Sequence, residues 1–317
     1  MLDAAEPALV LAPMEGITDA PMRALQGATG VFRYCISEFL RVAGVPLTPR
    51  VFYRDVQELR TNCRTSTGLP VQVQLLGGHP ERVALSAVEA CRLGAPGIDL
   101  NFGCPAPTVN NHDGGAALLR HPKRIKEIVA EVRAAVPVDI PVSAKLRLGW
   151  DDPSAVHENS AMAAEGGAAW ITIHARTRAQ GYAPPVDWRP IGQVRERLGI
   201  PIVANGDLWT LDAFRRCRDA TGCIHYMLGR SALANPAVPF QIARELGVAG
   251  LPEGVETEWI PLLQALVRHS LACGLTVPRL TLARLKQWLS LASKFGEFDR
   301  FDEVKRLATQ EELFAVL

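Results

Sequence analysis

One cysteine stands apart from the others. Cys104 lies in Asp99-Leu100-Asn101-Phe102-Gly103-Cys104-Pro105, a Gly/Pro-flanked stretch after an apolar run, with Gly114-Gly115 closing the segment. A thiol in such a loop can be a nucleophile, which needs the thiolate and nearby positive charge. It can be a proton donor, which needs the neutral thiol that a reference pKa of about 8.5 favours at neutral pH. It can also be idle, and spacing alone does not choose. The other six cysteines, at 35, 63, 91, 217, 223 and 273, mostly fall in strand or helix patterns. An odd total without CxxC frames neither a disulfide set nor a zinc cluster. A reducing cytoplasm is the expected compartment.

Other polar residues recur at the ends of apolar runs. In chain order they are Pro13-Met14-Glu15, Glu38, Gln74, Asn101, Lys145 with Arg147, His174 with Arg176, Asn205-Gly206-Asp207, and Gly229-Arg230. Any one could cap a helix or meet water. Eight together point to one functional rim. The last two sets suit a phosphate: glycine lets the backbone approach closely, and Arg230 can grip with two parallel hydrogen bonds. Lys145 and His174 add donors. The Ala12-Pro13-Met14 edge is apolar and polarisable, fit for the face of a planar ring.

These residues need elements to position them. Apolar, β-rich runs occur at 9–12, 34–37, 71–76, 97–100, 142–146, 170–173, 200–204 and 223–228, with helical spacing between most of them. Repeated strand–helix units imply a parallel sheet. Eight over about 240 residues match a (β/α)8 TIM barrel, whose active site lies at the C-terminal strand ends. A dinucleotide-binding open sheet would want GxGxxG after a strand, and none occurs. An excursion is expected near 45–68. From residue 246 strand patterns stop, and 259–272, 280–293 and 302–313 read as three helices. The expected division is a barrel over 1–245 and a small helical domain over 246–317.

The chain has 317 residues, 48 % hydrophobic and 21 % charged, with 34 Lys plus Arg against 33 Asp plus Glu and a formal net charge of +1. A globally basic nucleic-acid binder is excluded, but a local basic face is not. No apolar run is long enough to span a bilayer, and the N-terminus lacks the basic n-region of a signal peptide. The stretch 259–296 contains no Asp or Glu, yet holds Arg268, Arg279, Arg284, Lys286 and Lys294. Leu285, Trp288, Leu289 and Ala292 form an apolar stripe flanked by Arg284 and Lys286. RNA contact by this face, extended by Arg41, is the expectation.

The motifs together resemble the bacterial tRNA-dihydrouridine synthases. They are APMEGITDAPMR at 12–23, SEF at 37–39, VQVQLLG at 71–77, DLNFGCPAPTVNNHDGGAALL at 99–119, KLRLGW at 145–150, HART at 174–177, ANGD at 204–207 and LGR at 228–230. EFLRV, LRLGW and RLKQWL resemble most the C-type subclass, which modifies uridine 16 of the D-loop. The resemblance implies an FMN-binding barrel, a helical tRNA-binding domain and NADPH as reductant. Pro13, Met14 and Gln74, with Glu15 beside them, would hold the isoalloxazine. Lys145 and His174 would flank its N1/O2 side. Asn205, Gly206, Asp207, Gly229 and Arg230 would take the ribityl-phosphate end. Asn101 and Arg176 would face the uracil, and Arg147, Arg41, Arg279, Arg284 and Lys286 would meet RNA. Cys104 matches the family's proton donor. One departure is Pro107, where the family commonly carries a lysine.

The implied chemistry is hydride transfer from reduced flavin N5 to uracil C6 and a proton from Cys104 to C5, on a base pulled out of the tRNA elbow. Three other functions share some of these residues. A flavin barrel reducing a free pyrimidine such as dihydroorotate would leave the basic tail without a task. A Schiff-base aldolase would use Lys145 and be colourless. A non-catalytic RNA-binding module would need neither FMN nor Cys104.

Overall fold

The structure, a computed structural model, describes residues 1–317. Nine parallel strands form the frame: β1 Ala8–Leu11, β2 Tyr34–Ile36, β3 Leu40–Arg41, β4 Val71–Leu76, β5 Ile98–Asn101, β6 Val142–Arg147, β7 Ile171–His174, β8 Ile202–Asn205 and β9 His225–Leu228. Pairing runs β2-β1-β9-β8-β7-β6-β5-β4, and β2 pairs back onto β4, so the sheet closes into an eight-stranded barrel. The short β3 continues the line of β2. Between Ile36↔Gln72 and Leu40↔Leu75 one strand advances four residues and the other three. That extra residue is a β-bulge, a device that re-aims side chains near active sites. Beyond it, Phe39 reaches the cavity.

Strand alternation separates two faces. Leu9, Leu11, Cys35, Val71, Val73, Leu100, Ala144 and Ile173 belong to the large core between barrel and helices. Val10, Ala12, Tyr34, Ile36, Val203 and Met227 form a separate apolar cluster within the barrel. On the opposite side, β4 to β7 present Gln72, Gln74, Asp99, Asn101, Ser143, Lys145, Thr172 and His174, all buried except the half-buried Lys145. The interior is thus apolar on one flank and polar on the other.

Helices begin where local chemistry favours it. Pro80, Pro122 and Pro278 occupy first helical positions, where the missing N–H costs nothing. Asp19 and Thr210 cap their helices with side-chain oxygens, satisfying otherwise orphaned amides. The excursion contains the helix Pro49–Asp55 and a 3-10 turn, Gln57–Arg60. It is pinned by a buried bidentate pair, Arg23 with Glu58, at 2.7 and 2.8 Å.

After the helix Val238–Glu245 the tail contains Trp259–Ala272 and Pro278–Phe295, close to the sequence reading. The third expected helix is two short ones, Phe301–Val304 and Gln310–Val316, the second opened by a Thr309/Glu312 capping box. The cap explains the split, because Thr309 in extended conformation cannot also continue a helix. Tail residues Leu263, Leu266, Leu282, Leu285, Trp288 and Leu289 share one contiguous core with the barrel. Trp288 Nε1 also donates to Leu233 O at 2.8 Å. No helix is long and apolar enough to cross a membrane.

Candidate functional site

A cavity of about 580 Å³ opens at the C-terminal ends of the strands. Most of the strand-exit residues reach it: Pro13, Met14, Glu15, Gln74, Asn101, Cys104, Lys145, Arg147, His174, Asn205, Gly206, Asp207, Gly229 and Arg230 all line it. Glu38, Arg176, Arg41, Arg279, Arg284 and Lys286 do not.

The Cys104 loop is set by a chain of hydrogen bonds that begins inside the barrel. Asp99, fully buried, accepts from Ser143 Oγ at 2.5 Å and from Gln74 Nε2 at 2.7 Å. Gln74 Oε1 accepts from Asn101 Nδ2 at 2.9 Å. Asn101 Oδ1 then accepts from Gly103 N and Cys104 N at 3.0 and 2.9 Å. An ionised carboxylate can only accept, so Asp99 dictates which way each amide in the relay faces. Burial nevertheless raises its pKa to about 6. The thiol of Cys104 is half-buried, and burial pushes its pKa up, which keeps it protonated at neutral pH. That favours the proton-donor reading of the loop over the thiolate one.

The polar flank carries the positive charge. Lys145 Nζ lies 3.4 Å from Asn205 Oδ1, and burial, aided by Arg147, pushes its pKa down to about 8. Burial and the cations Arg147 and Lys145 hold His174 well below its ordinary value, so its imidazole is neutral. Its Nδ1 is buried without a partner. Asn205 is fixed by donating to Met227 O at 2.8 Å. Gly206 sits at φ +121°, which favours glycine, and a Cβ there would meet Ala175 N at 3.3 Å. Trp188 Nε1 holds the Gly206 carbonyl at 2.9 Å.

Three arginines and a lysine differ from the sequence expectation. Arg176 does not face the cavity. It is 1 % exposed, forms a two-pronged pair with Asp207 and donates to Ala183 O at 2.7 Å. A buried carboxylate or guanidinium is costly alone, and the pair resolves both. Its partner Asp207 therefore brings a neutralised carboxylate to the cavity rather than a repulsive one. Arg147, expected at RNA, is 3 % exposed and spends its donors on Gly103 O, Thr177 O and Gly181 O. It ties the Cys104 loop to the loop after β7.

Arg284 and Lys286, expected on an RNA-facing surface, point inward to the protein. Arg284 donates to Gly16 O and Ile17 O, each at 2.7 Å, and pairs with Asp19 at 2.9 Å. Lys286 is held by the carbonyls of Lys305 and Leu307. Both satisfy carbonyls at chain turns that no helical-wheel projection places beside them. Arg41, Arg268, Arg279 and Lys294 do remain exposed.

The structure adds residues that the sequence reading passed over. Arg230 is packed among Tyr182, Phe295 and Trp209, at 4.4, 4.8 and 5.2 Å from the ring centroids. Phe295, from the tail, stacks on Trp209 from the barrel. Phe39 also lines the cavity. Asp99 and Ser143 were within reach of strand alternation, each two residues before an exit residue. Tyr182, Trp209 and Phe295 carry no local signal.

The family model described as dihydrouridine synthase matches residues 10–247. A tRNA-dihydrouridine(16) synthase of Pseudomonas putida is 41 % identical over 308 residues, covering 95 % of both chains. One from Haemophilus influenzae is 42 % identical over 308 residues, 96 % of this chain and 97 % of the relative. Among solved structures, a variant of NCR from Zymomonas mobilis matches the fold with a TM-score of 0.52 at 15 % identity, over 80 % of this chain and 90 % of that one. Likeness of this degree along nearly the whole length, with the Cys104 loop and barrel rim in place, means that the chain belongs to the dihydrouridine synthase family.

Proposed function

We propose that this enzyme reduces the C5–C6 bond of uridine 16 in the D-loop of tRNA, with FMN as resident cofactor and NADPH as reductant. The observation that carries the proposal is the half-buried Cys104 thiol on a loop lining the same cavity as the cationic Lys145 and Arg230. The cavity fits a phosphate-bearing planar group. Its apolar flank is Ala12, Pro13 and Met14, and its polar flank offers Lys145, the unpartnered His174 Nδ1 and Arg230. Pro13, Met14 and Gln74 would hold the ring, Lys145 and His174 its polar edge, and Asn205, Gly206, Gly229 and Arg230 the phosphate end. When bound, reduced FMN supplies the hydride that saturates the pyrimidine at C6.

The remaining steps belong to the chain. Asn101, fixed by Gln74 and Asp99, orients the Cys104 loop against the target base. Cys104 gives its proton to C5 as negative charge develops there, and solvent restores the thiol. Lys145 offsets negative charge in a desolvated site, where such an interaction is strongest. The tail and the barrel rim hold tRNA while the base is extruded at a cost of a few kcal/mol. Seven unpaired cysteines fit a reducing cytoplasm, where tRNA resides.

The test joins substrate mapping to one variant. Cells lacking the protein should lose dihydrouridine at position 16 alone. Purified Cys104→Ala should remain yellow and oxidise NADPH, yet form dihydrouridine at least about 100-fold more slowly. Conversion at the wild-type rate would remove Cys104 from the reaction. Reduction of free pyrimidines in place of tRNA would redirect the substrate assignment.

A further inference from the structure

Three consecutive loops on the cavity face bring a cationic cluster together. Arg120 ends the 3-10 turn Gly115–Arg120 behind the Cys104 loop, Trp150 follows β6, and Arg178 follows β7. The guanidinium carbons of Arg120 and Arg178 lie 4.3 and 4.4 Å from the centroid of the Trp150 ring. The loops are stitched to each other, since Arg178 N donates to Gly149 O and Ala179 N to Trp150 O, both at 2.8 Å. Two like charges on one indole repel each other, and an ordinary surface would place a carboxylate between them. Here neither arginine forms an ion pair. Arg120 is exposed and Arg178 half-buried, with the Arg178 Nε itself buried without a hydrogen-bond partner, so the terminal guanidinium nitrogens are the groups left to meet a ligand. Of the two acids that follow Trp150 in the chain, Asp152 is turned to Ser154 N and Oγ at 2.8 and 2.7 Å, and Asp151 is exposed.

The cluster's position matters as much as its charge. Around the closed barrel β6 is four strands from β1 in either direction. The tail docks mainly beside β1 and β9, through Arg284 on Gly16 and Ile17 and through Trp288 on Leu233, and its Phe295 reaches Trp209 after β8. The indole and its two arginines therefore stand across the cavity mouth from the tail. A substrate that hands one base into the mouth must have its backbone on both sides of it. The inward commitment of Arg284 and Lys286 leaves the tail fewer free cations than its composition suggests. Guanidinium groups stacked on an indole are held in place by cation–π attraction while their N–H groups stay available, and guanidinium matches phosphate geometry.

We propose that Arg120 and Arg178, spaced by Trp150, grip the tRNA phosphodiester backbone on the side of the mouth opposite the helical tail. The proposal rests on the reading of tRNA as substrate. Its test compares wild type with the double variants Arg120→Gln/Arg178→Gln and Arg120→Lys/Arg178→Lys. Unmodified tRNA is titrated at several salt concentrations, and NADPH oxidation by the flavin reports that the barrel is intact. The glutamine pair should bind tRNA on the order of tenfold more weakly at low salt, with a salt slope shallower by about 2. The lysine pair should recover most of the slope, because charge is retained, and NADPH oxidation should stay at the wild-type rate in both.

An undiminished affinity and slope in the glutamine pair would overturn the grip and leave the enzyme's function standing. Equal impairment of the lysine and glutamine pairs would also overturn it, since loss of stacking alone would then explain the result. Wild-type protein that fails to bind tRNA would overturn the functional reading and the grip with it.

Discussion

Arg284→Ala separates two roles that a basic residue on the tail helix can play. In the structure its side chain is 16 % exposed and bridges the tail to the turn after β1. That turn carries Met14 and Glu15 into the cavity. Truncation leaves Ile17 O without its donor, whereas Gly16 O keeps Gln287 Nε2 at 2.9 Å. One charge-assisted hydrogen bond to a half-buried carbonyl is worth about 1.5–3 kcal/mol. The exposed-side pair with Asp19 adds at most about 1 kcal/mol. The expected loss is therefore about 2–3 kcal/mol, or a melting point lower by roughly 3–5 °C. Thermal unfolding followed by circular dichroism measures it. Flavin release monitored by fluorescence should show weaker retention, because the Met14 turn is loosened. Arg284→Lys should recover only part of both, since one ammonium cannot span two carbonyls and Asp19 as a planar fork does. The salt slope of tRNA binding should be unaltered. An unchanged melting point together with a slope shallower by about 1 would refute the strut and restore a phosphate contact.

Two further outcomes follow from the buried groups. Asp99→Leu removes the acceptor that orients Gln74, leaving a buried amide unmet at a cost of about 1–3 kcal/mol and freeing the Asn101–Cys104 relay to rotate. Dihydrouridine formation should fall by about 10–100-fold, and Asp99→Asn, which can still accept from Gln74 Nε2, should fall far less; equal losses would show that the relay is not what matters. Lys145, with its pKa pushed down to about 8 by burial, is charged below that pH and neutral above it. Affinity for FMN should therefore weaken as pH rises from 7 to 9, by titration calorimetry, and Lys145→Met should flatten the profile. Because the folded pKa lies below the unfolded one, the ligand-free protein carries a cost below about pH 8. That cost is relieved between about 8 and 10.5, so this residue's contribution to stability rises with pH across that window.

Much of the site was legible because its signals are local. A strand exit is a run of apolar residues followed by a polar one, and Gln74, Asn101, Lys145, His174 and Asn205 all reached the cavity from such positions. The alternation that buries Asp99 beneath Asn101 was equally available, being a two-residue period, but a lone acid inside an apolar strand drew no reading. The bulge between β2 and β3 was not legible. It depends on a register difference with β4, and the apolar pattern of either strand alone does not contain it.

The arginines mark the boundary between the two kinds of information. The order of elements and the closed parallel barrel follow from periodicity and spacing within single segments, which act over a few residues of backbone, whereas spacing left the role of Cys104 open. Where a guanidinium points is settled by which acceptor lies within about 3 Å of it, and for Arg284 those acceptors are 267 and 268 residues away in the chain. Arg176 likewise finds Asp207 across two loops, and Arg120 meets Arg178 only because two barrel loops converge on Trp150. A long charged side chain carries its charge in the sequence but acquires its partner from packing. Tertiary structure alone therefore decided which of this protein's cations brace it and which stand free.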